Sequence, residues 1–293
     1  MPTGQLAALA TAISWSATSL FFGEAARRIG ALRTNLLRLP IALFFLTMTL
    51  VATTRPLGDI DARAGTYLAA SGIVGLVIGD LALFAAMRRL GVRLAMLVMA
   101  LAPAFAALTG VVLLGEIPGA LALLGMVITL GGVAWVVSEP RGDEARPVDL
   151  SRGVALAVVG AACQGTGLVL AKLGMGRTIE ALPATWVRMS AATVVIWLLI
   201  TVTGRATGLE IAGSLRRAWP FLLAGAFFGP FVGVWLSLVA ARSGNVGVAA
   251  TIMATTPVLV IPLVMAFEHY RPSTRALLGT AVTIAGVALL FTA

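Results

Sequence analysis

The chain is a succession of long apolar runs separated by short polar breaks, without the period-2 alternation of a half-buried strand. Ten runs stand out, at roughly 4–23, 32–53, 65–87, 92–114, 118–138, 151–172, 183–203, 217–241, 246–267 and 273–292. About 20 apolar residues are what a helix needs to cross a hydrocarbon core of about 30 Å. Gly, Ala, Leu and Val dominate the runs, which favours helices over a membrane β-barrel. Most breaks carry Arg, Gly or Pro, as in Arg27-Arg28-Ile29-Gly30 and Glu116-Ile117-Pro118. Several are so short that consecutive helices must be antiparallel hairpins. The pattern predicts an all-α integral membrane protein of ten transmembrane helices.

The longest polar stretch, Glu139 to Pro147, lies mid-chain and reads as part of a linker over 139–150. It divides a first five-helix half, 1–138, from a second, 151–293. The halves repeat each other. A shift of 154 residues matches Gly75 with Gly229, Gly79 with Gly233, Pro103 with Pro257 and Pro118 with Pro272. It also matches Leu123-Leu124-Gly125 with Leu277-Leu278-Gly279, and Gly132-Val133-Ala134 with Gly286-Val287-Ala288. Arg38 matches Arg188 at a shift of 150, so an indel separates the two registers. An odd number of spans per half turns the second half upside down. Inverted repeats of this kind recur in secondary transporters, with the solute near the midplane between them.

Composition agrees: 59% of residues are hydrophobic, 11% charged, and the mean hydropathy is +1.01. A globular domain carries about 25% charged residues. The net charge of +9 comes from basic residues scattered between apolar runs. They sit where headgroups take them, so nucleic acid is not an expected partner. Assigning breaks alternately to the two sides puts 15 basic residues on one and 6 on the other. The positive-inside rule makes the richer side cytoplasmic and both termini external. The first run lacks a basic leader and reads as a retained span. Cys163 is the only cysteine, so no intrachain disulfide can form. No HExxH, CxxC, GxGxxG or paired-His spacing occurs, so no metal, nucleotide or haem cofactor is expected.

The first half carries Gly79-Asp80-Leu81-Ala82-Leu83-Phe84, then Leu101-Ala102-Pro103-Ala104-Phe105-Ala106-Ala107-Leu108. Leu113-Leu114-Gly115-Glu116, Leu124-Gly125-Met126 and Gly131-Gly132-Val133 follow. This Pro, Gly-Glu, Gly spacing resembles the EamA-type transporters of the drug/metabolite transporter superfamily, over nearly the whole chain. The resemblance implies a carrier of amino acids, nucleosides, drugs or other small metabolites, and relatives are drawn with both termini inside. In the second half Tyr270 stands where Glu116 would be, with Glu268 two residues earlier.

Candidate chemistry lies in the few polar groups within the spans. Asp80 falls about 6 Å from the midplane at 1.5 Å per residue. Arg38 reaches similar depth on the antiparallel neighbour, so an ion pair between them is expected. Two further roles stay open: proton coupling by Asp80, and an anion grip by Arg38. In the second half Val234 takes the place of Asp80. Arg188 therefore needs Glu180, a carbonyl or a solute as partner, unless it snorkels to the headgroups. Trp15, Gln164 and Trp235 are deep enough to line a cavity. Lys172 and Glu24 sit near span ends, where the interface accounts for them. Ser71, Gly75 and Gly79, and Gly225, Gly229 and Gly233, recur every four residues, as helix packing requires. Pro230 could kink the eighth span. Trp186 and Trp219 read as interfacial anchors, and His269 as a loop residue without a ligand.

The leading expectation is a multi-pass protein of the bacterial inner membrane, a secondary transporter exporting a small organic solute. It works as a monomer or homodimer, with proton coupling left open. The alternative is a membrane enzyme acting on a lipid-linked substrate, which needs converging acids, histidines or basic groups where this chain offers isolated ones. No enzymatic activity is expected.

Overall fold

The computed structural model describes residues 3–53, 60–138, 149–204, 208–259 and 273–292. Every regular element among them is helical. Helices α1 (Thr3–Ile29) and α2 (Ala31–Ala52) meet at Gly30, whose φ of 83° makes a one-residue corner that a side chain would strain. Span α3 runs over Ala62–Leu90 and starts on Asp61, whose carboxylate accepts from the Ala64 amide at 2.7 Å. Helical residues continue to Met99, but the chain turns back between Leu83 and Met99. Gly160 shows this, because the backbone of Leu83 and the sulfur of Met99 both lie against it.

Helix α4 (Ala102–Leu114) ends on Gly115 at φ 68°, and the Glu116 amide returns to the Gly110 carbonyl at 3.2 Å. Helices α5 (Ala120–Val137), α6 (Leu150–Met175) and α7 (Ala181–Thr203) follow. Span α8 joins Gly208–Ala226, Phe227–Gly233 and Val234–Ser243. Helix α9 (Val246–Met253) is capped by the Asn245 side chain, and α10 (Thr274–Thr292) closes the chain. Ten helices result among the described residues, matching the sequence reading; seven are long and apolar enough to cross a membrane and three are shorter apolar helices. Helix α1 runs a turn and more past its predicted end at 23. The linker 139–148, Glu268, His269 and Tyr270 lie outside the described residues.

The packing relates the two halves by a pseudo-two-fold. Helices α5 and α10, the last of each half, run antiparallel with small residues facing. A Cβ on Gly132 would lie 2.6 Å from the Thr283 amide nitrogen, and one on Gly286 would lie 2.5 Å from that of Thr129. Thr129 and Thr283, like Gly132 and Gly286, are 154 residues apart, so each half offers the other the same pair. That self-complementarity is what a two-fold interface requires. The first helices are exchanged between halves: α1 packs on α8 and α9, and α6 on α3 and α4. Mid-way along, α3 and α8 each open into a seven-residue π-helix, Ile73–Gly79 and Phe227–Gly233. These wide turns lie 154 residues apart at both ends.

Candidate functional site

A cavity of about 370 Å³ lies between the halves, lined by both π segments and by α1, α2, α6, α7 and α9. Its polar wall is built on the first π segment. Within that wide turn the Gly75 carbonyl accepts from Gln164 Nε2 at 3.2 Å. The same nitrogen donates to Asp80 Oδ1 at 2.8 Å. Arg38 Nη2 pairs with Asp80 Oδ2, as depth on antiparallel spans predicted. Arg38 Nε is spent on Asn35 Oδ1 at 2.7 Å, which fixes the guanidinium toward the acid.

Arg188 enters from α7. It is 3% exposed, so it does not snorkel to the headgroups. Room for it comes from α3: a Cβ on Gly72 would strike the Arg188 carbonyl, and one on Gly75 would lie 2.8 Å from Arg188 Nη2. Two missing side chains thus open a slot through which the arginine threads. Its charge acts on Asp80 across space, yet its buried Nε has no hydrogen-bond partner.

The second π segment is used similarly. Ser14 Oγ donates to the Phe228 carbonyl at 2.6 Å, and Gly229 and Pro230 line the cavity. Ser14 and Gln164 are 150 residues apart, so each exchanged first helix donates a side-chain hydrogen bond to the other half's π turn. The small-residue stripes carry these contacts. Ser71 Oγ donates to the Gly167 carbonyl, while Gly225, Gly229 and Gly233 receive Phe22, Thr18 and Trp15. Trp15 faces the cavity beside Leu83, Met96, Met99, Leu168 and Met253, so most of the wall is apolar.

The remaining candidates lie elsewhere. Trp235 stacks on Phe231 and borders a separate surface cavity with Glu180 and Arg242. Glu24 pairs with Arg27 and Arg28 at the far end of α1. Trp186 donates to Thr47 Oγ1 at 2.9 Å, tying α7 to α2, while Trp219 is exposed. Lys172, partly buried, is held by Glu116 and by the Gly244 carbonyl. The other Glu116 oxygen accepts from the Val246 amide, the first of α9, at 2.8 Å. One carboxylate thereby ties α4, α6, α8 and α9 together on the side of the termini. Glu116 was not among the candidate residues, although the Gly-Glu of the quoted motif marked it.

The sequence profile of the EamA-like transporter family matches residues 2–138 and again 151–292. The chain belongs to the EamA-like transporter family. A solved crystal structure superposes on it with a TM-score of 0.79 at 18% identity, covering 98% of this chain and 95% of the other. That likeness carries the fold. None of the curated proteins matches this chain. EamA-like membership makes the protein a multi-pass membrane protein of a transporter family, and both copies of the matched profile border the charged cavity.

Proposed function

We propose that the protein is a secondary transporter that exports a small organic solute across the bacterial inner membrane, by alternating access around the cavity between its halves. The observation that carries this reading is the convergence of Arg38, Asp80, Gln164 and Arg188 on one cavity between the two halves. Ionisable groups in a membrane interior are costly and mark solute or ion paths. The site lies where inverted-repeat carriers hold their solutes, and its volume suits a small metabolite.

The Glu116–Lys172 tie is the closed gate of this state. By the charge count it faces outward, so the cavity is loaded from the cytoplasm. Ten spans enclose a complete site, so one chain suffices. Asp80 is the acid through which a proton gradient would drive the cycle.

Reconstitution in liposomes tests the reading, with uptake measured from a mixed pool of labelled metabolites with and without an imposed pH gradient. Gradient-dependent accumulation is expected. Absence of uptake of every solute by folded, inserted protein overturns it. Accumulation indifferent to the gradient removes the coupling role of Asp80 alone.

A further inference from the structure

We infer that the solute is a monovalent organic anion with an apolar body, whose acid group is taken by Arg188; this rests on the transport reading of the same cavity. The charge balance leads there. Arg38 and Arg188 bring two guanidiniums to the wall, and Asp80 is the only acid among the described lining residues. Both Asp80 oxygens are occupied, one by Arg38 and one by Gln164. Arg188 is 97% buried, has an Nε without an acceptor, and makes no direct pair with Asp80. An unmatched guanidinium inside a membrane protein calls for one negative charge, and its planar fork suits a carboxylate.

A zwitterion is a poor fit, since its ammonium would need an acid, and Asp80 is already engaged. The remaining wall selects the body of the solute. Trp15, Leu83, Met96, Met99, Leu168 and Met253 offer no further charge, and thioethers adapt to different shapes. The site is therefore strict about the charged end and tolerant of the apolar one.

The test uses the purified full chain and four compounds sharing one phenylpropyl skeleton: 3-phenylpropionate, 3-phenylpropylamine, 3-phenylpropanol and phenylalanine. Ligand-induced shifts in thermal unfolding and labelled uptake into liposomes are both measured. The carboxylate is expected to raise the unfolding temperature most. Arg188→Met should weaken its binding about 10- to 100-fold, the usual worth of a hydrogen bond to a charged group. Arg188→Lys keeps the charge without the fork, so it should retain anion preference at lower affinity, and it serves if the Met variant does not fold.

Equal shifts from the amine or alcohol, undiminished carboxylate binding in both variants, or no shift from any compound at millimolar concentration would each overturn the inference. Carboxylate binding without uptake would leave the inference standing and remove the transport reading. Uptake of the amine or alcohol alone would do the reverse.

Discussion

Replacing Asp80 by Asn should destabilise the protein through charge rather than shape. The amide keeps the size of the carboxylate and can still accept from Gln164, now at 2.8 Å. What disappears is the negative charge between Arg38 and Arg188. Removing one member of a buried pair costs about 3–5 kcal/mol, because the survivor stays uncompensated. The Arg38 side chain is 16% exposed and borders the cavity, so water screens part of that, and about 3 kcal/mol is the appropriate figure. For a chain of this size such a loss lowers the unfolding temperature by roughly 6–12 °C. The double variant Asp80→Asn/Arg38→Met separates charge from packing. It returns the wall to a single guanidinium charge, so it should regain more than half of the lost stability. Tryptophan fluorescence during thermal unfolding in detergent reads both variants. A double variant as unstable as the summed singles would refute the charge argument.

Gly75→Ala places its methyl against the movable tip of Arg188, whereas Gly72→Ala strikes the Arg188 backbone. The first should impair solute binding with an unfolding temperature close to wild type, and the second should cost about 1–3 kcal/mol, an overpacking penalty. Reversed ranking in thermal unfolding would contradict the slot described for Arg188. Gly132→Ala and Gly286→Ala, being two-fold equivalents, should each cost about 1–3 kcal/mol and agree to within about 1 kcal/mol. A larger difference in denaturant unfolding would count against the symmetric seam. Glu116→Gln removes the charge that holds Lys172. In a Cys163→Ala background, it should increase labelling of a cysteine placed at Ser237 by an impermeant thiol reagent added on the side of the termini. Unchanged labelling would deny the tie its gating role.

The spans and the repeat were legible because both rest on patterns within the chain: run length for the spans, and Gly and Pro held in one register for the repeat. The Asp80–Arg38 pair was legible because depth along antiparallel neighbours follows from residue counting. Arg188 was not, since its burial depends on Gly72, which falls outside the four-residue stripe of Ser71, Gly75 and Gly79. Periodicity gave no sign of the π segments, because a helix apolar on all sides looks the same with five residues in a bond as with four. The exchange of α1 and α6 between halves, and the reach of Glu116 to Lys172 and Val246, are tertiary choices without a local signal. Lys172 shows the consequence. At a span end, headgroups explained it adequately, and only the neighbour arriving from another helix revealed its partner.

The paired π turns also separate what the two halves share from what they do not. An irregularity of the same length recurs at the same place in both halves, in Ile73–Gly79 and Phe227–Gly233. Against that common frame the polar side chains are unmatched: Val234 stands opposite Asp80, and Ser14 opposite Gln164. A symmetric scaffold thus encloses an asymmetric chemistry, and exchanging one side chain across the repeat would alter the second without disturbing the first.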